Sequence, residues 1–168
     1  MRFAVLHVLG GLPGCGKSTL ARALAARLGA LWLRVDTIEQ AIRDAGGSFV
    51  GPEGYLAAAA VARDNLADGR YVVVDAVNPL PVTRDGFREA ARRARARLHE
   101  IEVHCSDPTE HRRRVEHRLA EVPGLRLPTW DEVVSREFVP WPEARRLDTS
   151  ARTAEESLED LVELLASD

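Results

Sequence analysis

The run Gly11-Leu12-Pro13-Gly14-Cys15-Gly16-Lys17-Ser18, followed by Thr19, satisfies the pattern G-x-x-x-x-G-K-[ST] at every required position. The pattern has meaning only between a buried strand and the first turn of a helix, so it dictates its own surroundings. Upstream, Phe3 to Leu9 is a short, mostly apolar run suited to a strand inside a parallel sheet, and downstream Leu20 to Leu28 begins a helix. Three glycines let the backbone N–H groups converge, and the first helical amides point the same way, which makes an anion cradle. Gly11, Gly14, Cys15, Gly16, Lys17, Ser18 and Thr19 are the candidate phosphate ligands. In this pattern the lysine reaches β- and γ-phosphates, and the serine hydroxyl joins the coordination sphere of magnesium. Lys17 is the only lysine among 23 basic residues, and it stands where a compact point charge is the useful phosphate ligand. The competing reading is a glycine-rich turn that merely precedes a helix.

Size and charge narrow the remainder. With 168 residues, 45% of them hydrophobic, the chain fills one core and is too short for two ordinary domains. A single domain over 1–168 is expected, without repeats or linkers. A net charge of -3 argues against a broad basic surface for nucleic acid, although a local groove is compatible with it. No run of 18 apolar residues exists, and the N-terminal apolar run leads into the phosphate loop rather than a cleavage site. No membrane partner and a cytoplasmic location are therefore expected. Cys15 and Cys105 are too few for a disulfide framework. Cys15 lies near a helix N-terminus that lowers thiol pKa, so it reads either as oxidisable or as a small tolerated side chain. His104, Cys105, His111 and His117 lack zinc-ligand spacing.

Beyond the loop, acids stand where strands end. Ala30 to Val35 reads as a second strand that stops at Asp36, with a helix from Thr37 to Gly46-Gly47. A carboxylate at a strand end faces the crevice of an open α/β sheet, where it accepts a proton from an attacking hydroxyl or caps the helix. Arg43, two helical turns on, falls on the same side and either holds a substrate anion or faces solvent. An alanine-rich helix over Glu53 to Asp68 precedes Tyr71-Val72-Val73-Val74-Asp75, a buried strand ending in an acid. Apolar residues followed by aspartate make a loose Walker-B pattern, and Asp75 becomes a magnesium candidate beside Ser18. Asn78 either touches substrate or stabilises the turn before Pro79-Leu80-Pro81.

The second half is rich in arginine. A helix over Asp85 to Leu98, with Arg84, Arg88, Arg92, Arg93, Arg95 and Arg97, reads as a solvated face more than as a nucleic-acid patch. A strand over His99 to Cys105 leads into Ser106-Asp107-Pro108, a helix start. Arg112, Arg113, Arg114 and Arg118 then offer charges that a closing lid brings to a moving phosphoryl group, or they form surface ion pairs. Thr129 caps a short helix, and Trp130 or Trp141 walls a pocket or anchors the core, with Arg126 or Arg136 supplying a charged side. Arg146 to Thr149 is the last strand, Arg152 reaches toward a nucleotide base, and an amphipathic helix from Thr153 or Ser150 closes the chain.

In order and kind, the phosphate loop, Asp36, Val72-Val73-Val74-Asp75 and the Arg112–Arg118 run resemble the P-loop phosphotransferases related to nucleoside-monophosphate kinases. Within these the likeness is to the branch of polynucleotide 5′-hydroxyl kinases, zeta-toxin-like kinases and antibiotic phosphotransferases. It implies a three-layer α/β fold, a five-stranded parallel sheet in order 2-3-1-4-5 and an arginine-bearing lid, here 107–140. It also implies ATP, Mg2+ and a hydroxyl acceptor. On this mapping Asp36 resembles the acceptor-activating aspartate, Lys17 and Ser18 the donor and metal ligands, and Arg114 or Arg118 the lid arginine. An Asp-x-x-Arg arrangement is absent, since Thr37-Ile38-Glu39 follows Asp36, and Arg43 is the substitute. The expected activity is phosphorylation of a small metabolite, nucleoside or antibiotic-like alcohol by a monomer or homodimer. The alternatives are a polynucleotide 5′-hydroxyl kinase and a nucleotide-gated binding module with slow ATP hydrolysis.

Overall fold

The computed structural model describes residues 3–47 and 51–167. Its strands are β1 (Val5–Gly10), β2 (Leu31–Arg34), β3 (Tyr71–Asp75), β4 (Arg97–His104) and β5 (Arg145–Asp148). The helices are α1 (Lys17–Leu28), α2 (Val35–Asp44), α3 (Glu53–Ala67), α4 (Pro81–Ala94), α5 (Pro108–His117), α6 (Trp130–Val134) and α7 (Ala154–Ala166). All pairings are parallel, and the order is β2-β3-β1-β4-β5, as the family likeness implied.

Strand periodicity explains why helices cover both faces. Val72 and Val74 point into one core with Leu6, Val8 and Phe87, whereas Val73 between them points into the other with Leu24, Ile101 and Leu161. Central strands buried on both sides must be apolar throughout, which is why β3 reads Val-Val-Val. The alanines of α3 serve close approach: Ala58 and Ala62 are fully buried where α3 packs against the sheet and α4. Helix α1 ends at Gly29 in the left-handed conformation, its N–H donating to Ala26 and that of Ala30 to Ala25.

Three boundaries depart from the sequence reading. Strand β2 stops at Arg34 and α2 begins at Val35, so Asp36 lies in the first turn of a helix rather than before one. The arginine-rich helix spans Pro81–Ala94 instead of Asp85 to Leu98, because proline suits its first turn and Arg95 turns left-handed, sending the Ala96 N–H back to Ala91. Arg97 and Leu98 consequently belong to β4.

Arg84 is not on a solvated face. It is 2% exposed, donates to the carbonyls of Asn78, Pro79, Val139 and Pro140, and stacks 4.7 Å from the Trp141 ring centroid. Trp141 is likewise a core residue and not a pocket wall. Its ring fills the space above Gly10, where a Cβ would come within 2.5 Å of it.

Candidate active site at the carboxyl ends of the strands

The parallel strands end together at Gly10, Arg34, Asp75, His104 and Asp148, and the phosphate loop emerges from the central one. That edge is where open α/β sheets bind ligands. The loop's shape is enforced from several sides. A Cβ on Gly11 would run into the Val103 carbonyl, and one on Gly14 would come within 2.5 Å of Val115 on α5. The buried His111 of α5 donates from Nε2 to the Pro13 carbonyl at 2.8 Å, since a carbonyl oxygen only accepts. From the end of β5, Thr149 donates its hydroxyl to the Cys15 carbonyl at 2.8 Å. Gly16 caps α1 without a side-chain hydrogen bond, which leaves the leading amides of that helix available to an anion.

Above this loop lies a cavity of about 600 Å³. Gly14, Gly16, Lys17, Ser18 and Thr19 form its floor, and Arg34 and Asp36 its β2–α2 side. Arg114, Arg118 and the leucines at 119, 125 and 127 form the wall contributed by α5 and the segment after it. Thr149 and Arg152 line the far end. Lys17, Ser18, Asp36, Arg114, Arg118 and Arg152 are therefore brought to one cavity from four separate parts of the chain.

Beneath the floor sits Asp75, 2% exposed, with Oδ2 lacking any hydrogen-bond partner. Burial pushes its carboxyl pKa up, while Lys17, a hydrogen bond from Ser18 and Arg34 pull it back. Arg34 Nε stands 3.7 Å from that oxygen, and its other guanidinium end binds Glu121 at 3.0 Å. An orphaned, buried carboxylate oxygen next to a serine hydroxyl is a hard oxygen donor set, which suits magnesium.

The two arginines singled out on α5 are unlike each other. Arg114 is engaged, donating to the Thr149 hydroxyl and carbonyl at 2.8 Å and to Glu110. Arg118 has a buried Nε without a partner, and burial lowers its pKa against the attraction of Asp36.

Other sequence expectations meet a different geometry. Cys15 is fully buried, and the loss of solvation raises its thiol pKa against the pull of Lys17, so proximity to a helix N-terminus does not activate it. Asn78 is 0% exposed at φ 52°, lines neither this cavity nor its neighbour, and holds a turn through its own N–H to Tyr55 and its carbonyl to Arg84. Trp130 meets His111 edge-on at 5.1 Å between centroids and lines neither cavity. Arg43, Arg126 and Arg136 surround a second cavity rather than the first. Among the described residues no cluster of His, Cys, Asp and Glu is arranged to hold a metal ion by itself, and no helix is long and apolar enough to cross a membrane.

Sequence reasoning overlooked Arg34 and Glu121, and it gave the strand end at Thr149 to a nucleotide-base pocket without seeing its hold on the phosphate loop. Arg34 was legible as the residue that ends β2 beside the end of β3, the register placing it opposite Asp75. Thr149 and Glu121 owe their roles to tertiary contacts that leave no local signal.

Comparison with known proteins agrees with this arrangement. The family model described as AAA domain matches residues 6–135. The uncharacterized protein Rv2004c of Mycobacterium tuberculosis is 32% identical over 118 residues, 60% of this chain and 23% of its own length. The chain thus spans about a quarter of the length of the curated relatives it matches. Among solved structures, the Mycobacterium tuberculosis APS kinase CysC, in complex with AMPPNP and APS, superposes with a TM-score of 0.73 at 23% identity, covering 99% of this chain and 100% of that one. A gluconokinase from Sinorhizobium meliloti gives 0.64 at 23%, covering 99% and 98%. Kti12 of Chaetomium thermophilum, in complex with ADP-AlF3, gives 0.68 at 22%, covering 96% and 98%. At these identities the likeness establishes the P-loop kinase-like fold.

Proposed function

The chain belongs to the AAA domain family, and from that premise we propose that it is a kinase that moves the γ-phosphoryl group of ATP to a hydroxyl of a small molecule. The observation that carries this reading is the cavity in which Lys17 and Ser18 face Asp36 and Arg118. In transfer, the acceptor oxygen bonds to the γ-phosphorus as the bond to the β-phosphate oxygen breaks. ADP departs with that electron pair, and the acceptor's proton passes to the Asp36 carboxylate.

The residues divide this work by position. Lys17 and the loop amides bind the donor phosphates, and Arg152 borders the end of the cavity open to the base. Arg118, with an Nε that nothing else occupies, offsets charge on the moving phosphoryl oxygens. Arg114, tied to Thr149, braces the loop that Thr149 also holds. Ser18 and Asp75 are the residues that would hold magnesium. Bound there, magnesium supplies charge neutralisation at the donor phosphates. Within 107–140 of this single domain the lid is α5 with the segment up to 128, since 139–140 is held to the start of α4 through Arg84.

A polynucleotide acceptor has less support, because arginines on the outer side of α4 are spent on ion pairs. Arg88 binds Glu100, and Arg92 and Arg93 bind Glu89. Incubation with labelled ATP and separate panels of small alcohols, nucleosides and 5′-hydroxyl oligonucleotides tests the reading, the expected product being a labelled small alcohol or nucleoside. Asp36→Asn should lower transfer by about 10²- to 10⁴-fold while nucleotide affinity is retained. Release of inorganic phosphate alone across all panels would favour a nucleotide-gated binding module, and unchanged transfer in the variant would remove Asp36 from the role.

A further inference from the structure

A second cavity, of about 500 Å³, lies beside the first, and Leu125 lines both. Its wall carries three guanidiniums, Arg43, Arg126 and Arg136, against one carboxylate, Glu132. In a chain of net charge -3 this is a local excess of positive charge. The glutamate is already taken: it accepts from Arg126 at 2.7 Å and completes the capping box of α6. Among the described residues the Arg43 guanidinium has a single, long ion pair, 3.7 Å, to Glu39. The Arg136 guanidinium makes no hydrogen bond and no ion pair within 4 Å among the described residues, and it shares with Arg43 the field of Glu39. Guanidiniums that outnumber the carboxylates around a concavity and keep free donors present planar forks to a carboxylate or phosphate.

The two cavities are joined by one helix face. Asp36, Gln40 and Arg43 stand at i, i+4 and i+7 of α2, so they form a polar stripe that starts in the first cavity and ends in the second. At 1.5 Å per residue the stripe is about 10 Å long. Between its ends Leu125 supplies an apolar wall, continued in the first cavity by Leu119 and Leu127.

Resting on the kinase reading above, we infer that the acceptor is an anionic small-molecule alcohol: its hydroxyl lies at Asp36, its apolar body against Leu125, and its carboxylate or phosphate between Arg43 and Arg136. The second cavity is then an anion anchor that takes no part in bond making. It contributes to acceptor affinity and to discrimination against neutral alcohols.

Two measurements test this separately from the chemistry. With the phosphate loop filled by an unreactive ATP analogue and magnesium, inorganic phosphate should raise the melting temperature of the wild type and leave Arg136→Gln and Arg43→Gln unmoved. Arg136 and Arg43 are both exposed, so these substitutions spare the core. Arg63→Gln, at an exposed arginine outside both cavities, is the control and should respond like the wild type. In the transfer assay, matched pairs of hydroxy acids and their methyl esters, and of phosphorylated alcohols and their dephosphorylated forms, should favour the anionic member. The two kinds of pair also separate a carboxylate from a phosphate as the anchored group. Arg136→Gln should raise KM for the anionic member about 10- to 100-fold with kcat little changed, as expected for one charged contact made equally in ground and transition states.

Equal use of both members of every pair, or a phosphate response that survives in Arg136→Gln, would overturn the anion anchor while leaving the kinase intact. Arginine-dependent phosphate binding with no acceptor ever labelled would instead sink the kinase reading and with it the identification of the anchored group as an acceptor. Preferential labelling of 5′-hydroxyl oligonucleotides, with affinity falling steeply in salt, would overturn the small-molecule assignment.

Discussion

Residue scale is where burial decides between roles that look alike in sequence. Cys15 and Lys17 occupy one loop, yet the thiol is sealed inward and its ionisation suppressed, while the ammonium faces the cavity floor. His7 shows the same principle in the middle of β1, where an imidazole replaces the apolar residue the strand otherwise demands. It stacks on His99 of β4 at 5.0 Å between centroids with the rings 12° from parallel, and Arg145 donates to His99 from β5. Burial, then the fields of His99 and Arg145, push the His7 pKa from 6.5 down to about 4. The unfolded chain therefore binds a proton near pH 6.5 that the native chain refuses until about pH 4, and stability present above pH 6.5 is lost on acidification through that window. Between pH 7.5 and 5.5 the loss attributable to His7 is on the order of 1 kcal/mol, a fall in Tm of roughly a few degrees for a chain of this size. His7→Phe keeps a ring in the stack and removes the proton, so its urea midpoint should vary less over the same pH interval. Identical pH dependence in the two proteins would show that this imidazole is not what titrates.

At the scale of elements, the outcome depended on whether a stretch carries its own punctuation. Strand β3 and the helices that begin at Thr129 and Thr153 were legible because a bounded apolar run and two capping boxes state their limits locally. The end of α4 was not, because Arg95 takes a left-handed turn that glycine usually signals. The start of α2 was misplaced for a related reason: Arg34 precedes it with no capping side chain, so nothing in the sequence marks Val35 as helical. The phosphate loop, Asp36 and Asp75 were visible from spacing, whereas the partition of arginines between two cavities arises from how α2 meets the segment 124–136. Arg84 is the extreme case, a charged residue on an arginine-rich helix that proves to be a joint. Two of its carbonyl contacts hold the turn at Asn78 and Pro79, and the other two, to Val139 and Pro140, tie the start of α4 to the 138–141 segment, which carries Trp141 over β1. Arg84→Lys keeps the charge but cannot reproduce the planar fork, and should destabilise by about 3 kcal/mol in denaturant titration. A loss below about 0.5 kcal/mol would place it in the class of ordinary surface changes and refute the joint.

For the whole molecule, the first cavity has two kinds of wall. Its floor is built on the central sheet and α1, which share a fully buried core, and its roof is α5 with the segment up to 128, whose leucine at 119 is 87% exposed. Among the described residues the roof's polar ties to the other walls are His111 to Pro13, Arg114 to Thr149, Ala151 to Glu110 and Arg34 to Glu121. Ligands that bridge both walls should therefore convert a loosely tied roof into a closed one. Hydrogen exchange measured with magnesium and an unreactive ATP analogue should slow at residues 14–19 and, in the same titration, at 113–127, with α4 unchanged. Lys17→Ala should abolish both effects together, since the roof has no reason to close over an empty floor. Adding an anionic alcohol should extend protection to α6 and to the C-terminal turn of α2, the walls of the second cavity. Protection confined to the loop at saturating nucleotide would mean that 107–140 is a fixed part of the domain. Arg118 would then have to act from where it already stands, close enough to Asp36 for the two charges to interact.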